Sequence, residues 1–183
     1  MRVITLAGSP RYPSRSTALL TFCQQMLEQH GVDVIPWNLH RFQAEDLIYA
    51  RFDSPALLAL KDDISRADGL IISTPVYKAS FSGALKTLLD LLPERALEHK
   101  VVLPLATGGT LAHMLAVEYA LKPVLNALKA QEVLHGVFAE DPHITDHAGQ
   151  PQFSPLLISR VTESVDTLRH AIVRRRQPLA TAV

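Results

Sequence analysis

The chain has 183 residues, and its 18 Lys and Arg balance its 18 Asp and Glu, so the formal net charge is zero. This length suits one domain with a sizeable core. The charge balance gives no support to a general nucleic-acid binder, which needs a basic face, and argues against a strongly acidic electron carrier. A single cysteine, Cys23, excludes an internal disulfide and a CxxC pair. The sequence starts without the pattern of a secretory signal, and every apolar stretch is shorter than the ~20 residues of a membrane span. We therefore expect a soluble, cytoplasmic protein.

Short apolar runs alternate five times with longer segments of helical periodicity. Strands are predicted at residues 3–7, 32–35, 70–72, 101–106 and 133–138. Helices are predicted at 16–29, 55–64, 82–92, 111–129 and 155–174. The stretch 37–51 reads as irregular, and 142–153 reads as a polar, turn-rich excursion. Strands that are continuously apolar are typical of a sheet covered by helices on both faces. The alternation therefore predicts an α/β fold with a doubly wound parallel sheet, over residues 1–176, with a disordered tail at 177–183.

The loop after the first strand has the chemistry of a phosphate site. In sheets of this type ligands bind at the carboxyl ends of the strands, and this loop runs from such an end into a helix. A helix N-terminus offers free N–H groups and the positive end of a dipole, hydroxyls add donors, and an arginine can bind phosphate through two hydrogen bonds. The candidate residues are Ser9, Arg11, Ser14, Arg15, Ser16 and Thr17. A loop whose serines only cap the helix is the alternative.

Three other uses of this loop fit less well. A nucleoside-triphosphate loop would need glycines and a lysine where serines and Arg15 stand, and the GxGxxG pattern of dinucleotide binding is missing. A low-molecular-weight phosphatase would need a cysteine in the loop. Cys23 instead lies downstream on the apolar face of the helix, where we expect it in the core.

The loops after the third and fourth strands suit a planar heterocycle. Proline fixes the backbone, a tyrosine offers an aromatic face, a lysine can stabilise negative charge on the ring, and glycines let backbone approach a flat ring closely. The candidates are Pro75, Val76, Tyr77 and Lys78, then Thr107, Gly108, Gly109, Thr110 and His113. Tyr77 could instead be a packing residue and His113 a structural one. A phosphate cradle beside two ring loops, without a dinucleotide fingerprint, suits flavin mononucleotide (FMN).

These motifs resemble a known family. Gly8-Ser9-x-Arg11 with Ser14-x-Ser16, Thr74-Pro75-Val76-Tyr77, Ser82-Gly83-x-Leu85-Lys86 and Gly108-Gly109 are similar to those of the NAD(P)H-dependent FMN reductases of flavodoxin-like fold. Residues 75–79, 82–96, 103–110 and 119–123 look like the reductases of two-component alkanesulfonate monooxygenase systems. The resemblance covers residues 1–153, while the last helix is less diagnostic.

The resemblance implies a three-layer sandwich with a five-stranded parallel sheet in the order 2-1-3-4-5. It also implies an enzyme that takes hydride from NADPH or NADH, reduces FMN and releases the product to a partner alkanesulfonate monooxygenase. Hydride passes directly between the cofactors, so no catalytic side chain and no metal is expected. The residues proposed above for phosphate and ring become flavin contacts. Relatives of this type are homo-oligomers, usually tetramers, and no membrane or nucleic-acid partner is implied.

A proline lies inside the long predicted helix at 111–129. Pro123 lacks an N–H and would clash with the carbonyl of Tyr119, four residues earlier. The helix must kink or bulge there, and single π-turns often mark functional places. The resemblance adds that related reductases carry a π-helix at the matching tyrosine, at a subunit interface. We therefore expect that Tyr119 packs against a partner subunit and favours flavin release; a simple proline kink with a core tyrosine is the alternative.

Two other functions remain open at this stage. One is a quinone or azo reductase that keeps FMN tightly bound, and the other is an electron carrier without a nicotinamide reaction. The segment from Glu140 to His147 carries His143 and His147 four residues apart. Pro142 and Gly149 favour a turn or short hairpin there over a metal site.

Overall fold

The computed structural model describes residues 1–176; the expected tail at 177–183 lies outside the described residues. Its strands are β1 (Arg2–Ala7), β2 (Asp33–Asn38), β3 (Gly69–Tyr77), β4 (Ser80–Phe81), β5 (Val101–Gly108), β6 (Glu132–Val133), β7 (Val137–Glu140), β8 (Ile144–Thr145) and β9 (Gln152–Phe153). Its α-helices are α1 (Arg15–Gln29), α2 (Ala44–Ile48), α3 (Pro55–Ser65), α4 (Gly83–Leu89), α5 (Lys122–Ala127) and α6 (Pro155–Arg176).

The main sheet is parallel and has the expected strand order. β2, β1, β3 and β5 lie side by side, and β6 and β7 share the fifth position next to β5. This confirms the order 2-1-3-4-5 and the flavodoxin-like arrangement. The carboxyl ends of β1, β3 and β5 lie next to one another, so the three candidate loops meet at one edge.

Helices bury both faces of the sheet. Successive strand residues point to opposite faces, so Val3 belongs to the core under α1 and α6, whereas Ile4 belongs to the core under α3 and α4. Cys23 lies fully buried in the first of these cores. The continuous apolar strands of the sequence are explained by this three-layer packing.

The segment expected to be irregular, 37–51, is largely ordered. β2 continues through Trp37 to Asn38, and a 3-10 turn at Leu39–Arg41 leads toward α2. The Trp37 ring is buried, and its Nε1 donates to Asp63 Oδ2 on α3 at 3.0 Å. This contact spans 26 residues, so local pattern could not reveal it.

The prediction of one long helix at 111–129 is wrong. The segment divides into a 3-10 turn at Leu111–His113, a π-helical turn at Val117–Leu121, and α5. The N–H of Lys122 donates to the carbonyl of Val117, five residues back, and Pro123 occupies the first turn of α5. Pro123 has no N–H to donate to the carbonyl four residues back, so the regular hydrogen bonds of an α-helix cannot continue through it. This is a local cause of the π-helical turn.

The fifth strand is interrupted between β6 and β7. Residues 134–136 lie beside Pro104 of β5, which has no N–H for the ladder. A Cβ on Gly136 would lie 2.8 Å from the Pro104 carbonyl oxygen. The 142–153 excursion contains the β8–β9 hairpin, as the sequence indicated.

Candidate active site

The three candidate loops surround one cavity at the carboxyl edge of the sheet. Its volume is about 270 Å³. It is lined by Ser9, Arg11, Pro13, Ser14, Arg15, Ser16, Pro75, Val76, Tyr77, Thr107, Gly108, Gly109, Asp141 and His147. Residues from the loop after β1 and from the ends of β3 and β5 thus meet at a single concave site, where ligands bind in folds of this type.

The first loop ends in a capped helix start. Ser14 is the N-cap of α1, and its Oγ accepts from the Thr17 N–H at 3.1 Å and donates to Thr17 Oγ1 at 2.8 Å. The hydroxyl of Ser9 accepts from the Arg11 N–H at 3.1 Å, which closes a tight turn. The first turn of an α-helix has N–H groups without intrahelical acceptors. These groups and the buried Ser9 and Ser16 provide the donors that a phosphate requires.

The same loop is fixed to its neighbours through Gly8. Its N–H donates to the Ser73 carbonyl at 2.7 Å, and its carbonyl accepts from Ser82 Oγ. A Cβ at this position would lie only 2.7 Å from Leu85 Cδ2 of α4. Glycine therefore lets α4 pack directly under the start of the loop.

The two arginines of the loop differ in their surroundings. Arg11 is exposed. Arg15 is held on one side by the segment after β7, because its Nη1 lies 3.6 Å from Asp141 Oδ2 and its Nε donates to the Ile144 carbonyl at 3.3 Å. The cavity therefore carries two guanidiniums and one carboxylate along its first loop.

The loop expected after the third strand is partly strand. β3 extends to Tyr77 and pairs with β4 as a two-residue hairpin, so Pro75, Val76 and Tyr77 are strand residues rather than loop residues. The turn residues Lys78 and Ala79 both have positive φ, 50° and 63°. Such angles fit the right-handed twist of a tight hairpin but are strained for residues other than glycine and asparagine. The Tyr77 ring is 44% exposed at the rim of the cavity.

Gly108 ends β5 and Gly109 follows it, and the two glycines have different roles. A Cβ on Gly108 would lie 3.1 Å from Phe138 Cζ, so this position is packed from behind. A Cβ on Gly109 would meet nothing within 4 Å, so that backbone is open to a ligand. The Leu111 N–H donates to Glu140 Oε1 at 2.9 Å, which ties the loop to the end of β7.

Four predicted contacts do not line the cavity. Thr17 turns toward the neighbouring cavities beside α1, and Lys78 lies exposed at the hairpin tip. Thr110 accepts from the Ala112 N–H at 3.4 Å and begins the 3-10 turn that contains His113.

Three lining residues, Pro13, Asp141 and His147, were not among the predicted contacts. Asp141 and His147 come from the segment after β7, which the sequence singled out only for its metal-like histidine spacing. The signal that could have found them is topological, because this segment leaves the sheet at the same carboxyl edge. His143 instead shares a hydrogen bond with Ser154 Oγ at 2.8 Å. Within residues 1–176 there is no group of three or more His, Cys, Asp or Glu side chains that could hold a metal ion.

A larger cavity, of about 540 Å³, lies beside this site between α1 and the β8–β9 hairpin. It shares Pro13, Ser14 and His147 with the site but contains no residue of the ring loops. Size alone does not favour it as the reaction site, since the groups suited to phosphate and ring converge in the smaller cavity. In residues 1–176, the helices are too short or too polar to span a bilayer.

The comparisons with known proteins agree with this geometry. The family model for NADPH-dependent FMN reductases matches residues 1–143. An FMN reductase (NADPH) of Escherichia coli is 63% identical over 175 residues, covering 96% of this chain and 92% of the relative. An FMN reductase (NADPH) of Pseudomonas putida is 55% identical over 185 residues, covering 100% and 94%. The apo crystal structure of an NADH:FMN oxidoreductase has a TM-score of 0.84 at 30% identity, covering 93% of this chain and 89% of the other. From motifs, fold and these likenesses together, the chain belongs to the NADPH-dependent FMN reductase family.

Proposed function

We propose that this enzyme uses NADPH to reduce FMN in the 270 Å³ cavity and releases the product to a separate alkanesulfonate monooxygenase. The observation that carries the proposal is that one cavity joins a phosphate loop to two loops suited to a planar ring. The choice of NADPH follows the two relatives at 63% and 55% identity, both named for NADPH. The monooxygenase partner follows from the resemblance of residues 75–79, 82–96 and 103–110 to reductases of such systems.

The residues present fit FMN. The flavin phosphate would lie at the start of α1, where Ser9, Ser14, Ser16 and the first-turn N–H groups supply donors and Arg11 and Arg15 supply charge. The ring would lie between the hairpin strand at Pro75–Tyr77 and the backbone at Thr107–Gly109. The open position at Gly109 supports this placement, because backbone without a side chain allows close approach.

The protein contributes binding and orientation rather than a reacting side chain. Bound FMN supplies the ring that accepts hydride from the nicotinamide. The strand end at Pro75–Tyr77 fixes one edge of the ring site, and the exposed Tyr77 leaves the rim open for a second planar ring. Cys23 is unsuited to chemistry in this site, because it is fully buried in the core and does not line the cavity, and burial raises the pKa of its thiol to about 12.

We further propose that the chain assembles through the segment 111–129, as a tetramer. Exposed apolar side chains lie along its first part: Leu111, Met114, Leu115 and Tyr119. Tyr119 is 79% exposed on the π-helical turn, which argues against the alternative that it is a core residue beside a proline kink. Large exposed apolar side chains that lie close together are typical of interaction surfaces.

The reductase proposal is tested by mixing purified protein with NADPH and following nicotinamide absorbance. Rapid oxidation only after FMN is added supports it. Oxidation that requires a quinone would favour a quinone reductase, and no oxidation under either condition would favour an electron carrier. Addition of an alkanesulfonate monooxygenase and its sulfonate should then yield sulfite in proportion to the NADPH consumed. Failure of that coupling would contradict the partner but not the reductase.

The assembly proposal is tested with Tyr119→Ala, using Tyr49→Ala as a matched control, since Tyr49 is a second tyrosine that is 70% exposed. We expect Tyr119→Ala to lower the oligomeric mass in sedimentation and to retain more flavin on gel filtration. Tyr49→Ala should change neither quantity. An unchanged mass, unchanged flavin retention and unchanged delivery to the monooxygenase in Tyr119→Ala would contradict the role of this residue.

A further inference from the structure

The cavity lining includes an acidic residue at the place proposed for the flavin phosphate. Asp141 follows β7, and its Oδ2 lies 3.6 Å from Nη1 of Arg15. Both side chains are partly exposed, at 37% for Arg15 and 42% for Asp141, and both line the cavity. A carboxylate therefore stands beside one of the two guanidiniums that would attract a phosphate.

This arrangement has an electrostatic cost for an anionic ligand. A phosphate monoester carries a charge of about −1.5 to −2 at neutral pH. Asp141 repels the same phosphate directly and, as the ion-pair partner of Nη1, competes with the phosphate for the Arg15 guanidinium. The other arginine of the lining, Arg11, is exposed and takes no part in this ion pair among the described residues.

A second contact holds Arg15 in position independently of the charge of Asp141. The Nε of Arg15 donates to the Ile144 carbonyl at 3.3 Å, and this bond does not involve Asp141. Removal of the carboxylate charge should therefore leave the guanidinium held at the cavity wall. The net positive charge facing the ligand would rise without loss of order.

We propose that Asp141 limits the affinity of the site for the flavin phosphate, so that FMN exchanges as a substrate instead of staying as a prosthetic group. The inference rests on the proposed placement of the phosphate at the start of α1. Asp141 acts here through Arg15 and through charge, and takes no part in the transfer of hydride.

The test compares FMN with riboflavin, which has the same ring but no phosphate. In Asp141→Asn we expect the dissociation constant for FMN, measured by flavin fluorescence titration at low salt, to fall about tenfold. The constant for riboflavin should stay unchanged, and the gain for FMN should shrink at high salt. Asp166→Asn is the matched control, because Asp166 forms a similar partly exposed pair with Arg169 on α6, outside the cavity. It should leave both constants unchanged.

Two further variants, Arg15→Ala and the double variant Arg15→Ala/Asp141→Asn, test the role of Asp141 separately from the placement of the phosphate. Arg15→Ala should weaken FMN but not riboflavin, and the gain from Asp141→Asn should be smaller in the double variant, since only the direct repulsion then remains. If Arg15→Ala weakens FMN selectively but Asp141→Asn does not tighten it, the role of Asp141 is wrong while the site stands. If neither variant distinguishes FMN from riboflavin, the placement of the phosphate is wrong as well.

Discussion

The Oγ of Ser73, in the middle of β3, donates to the carbonyl of Ser16 in the first turn of α1 at 2.7 Å, and both residues are buried. The bond joins two elements 57 positions apart in the sequence. It fixes the helix start that would hold the flavin phosphate against the strand whose end would hold the ring. The distance between the two halves of the site is therefore set partly by one buried hydroxyl.

Ser73→Ala should lower the free energy of unfolding by about 1–2 kcal/mol, because a buried hydrogen bond to the Ser16 carbonyl is lost. Urea denaturation measures this change. Ser65→Ala is the control: its Oγ donates to the Asp62 carbonyl, also at 2.7 Å, but at the surface. We expect the control to change stability by less than about 0.5 kcal/mol. Equal effects of the two substitutions would contradict a special role for the buried bond.

Gly8→Ala should destabilise the protein by about 1–3 kcal/mol and weaken FMN binding. The added methyl would meet Leu85 Cδ2 at 2.7 Å, and Leu85 is fully buried, so α4 or the phosphate loop must move. Gly83→Ala provides the comparison, because a Cβ there meets nothing within 4 Å at the start of the same helix. The control should be neutral or slightly stabilising, since alanine has the higher helix propensity. Thermal unfolding and flavin titration of both variants check the pair.

The hairpin turn at Lys78-Ala79 holds two non-glycine residues at positive φ. Ala79→Gly should raise the free energy of unfolding by about 0.5–1 kcal/mol, because glycine adopts φ of 63° without the steric cost of a Cβ. Ala127→Gly at the exposed C-terminal residue of α5 should do the opposite, lowering the free energy of unfolding by at most about 1 kcal/mol. If Ala79→Gly destabilised the protein as Ala127→Gly does, the turn would not be strained.

Much of the site was predictable because it depends on local chemistry at the ends of buried strands. The hydroxyls of Ser9, Ser14 and Ser16 and the glycines at 108–109 could be recognised, and strand order then brings them together. Lys78 and His113 were also expected at the ring; they lie on the hairpin turn and on the 3-10 turn, and neither lines the cavity. Residues 75–77 form a strand instead of a loop because the end of β3 pairs with β4. The sequence gives little indication of β4, because this strand has only two residues.

Most of the remaining differences come from contacts between distant segments. Asp141 reaches Arg15 across 126 positions, from 15 to 141, and the pairing of Trp37 with Asp63 orders a stretch whose composition looks irregular. The π-helical turn is only partly predictable from the sequence, because Pro123 explains why the helix bulges but not how long the bulge is. Periodicity in the sequence indicates which face of a helix or strand is apolar. It does not indicate which distant residue will contact Arg15 or Trp37 in the folded protein.

The thiol of Cys23 should make stability fall with alkaline pH. Burial raises its pKa from 9.0 to about 12 in the folded protein, while the unfolded chain keeps the ordinary value. Between these values the unfolded chain releases the proton and the folded one keeps it. The free energy of unfolding therefore decreases as pH rises above about 9, and the effect is absent well below that pH.

Cys23→Ala isolates this contribution, because it removes the titration and adds only a pH-independent packing cost. The stability advantage of the native chain over Cys23→Ala should shrink by about 1.4 kcal/mol between about pH 8 and about pH 10, measured by urea denaturation under reducing conditions. Iodoacetamide should modify the thiol only in denaturant, since the folded protein exposes none of it. A constant difference between the two proteins over this pH interval would mean that Cys23 reaches solvent at a cost far below that of global unfolding, and its packing against α6 would need to be reconsidered.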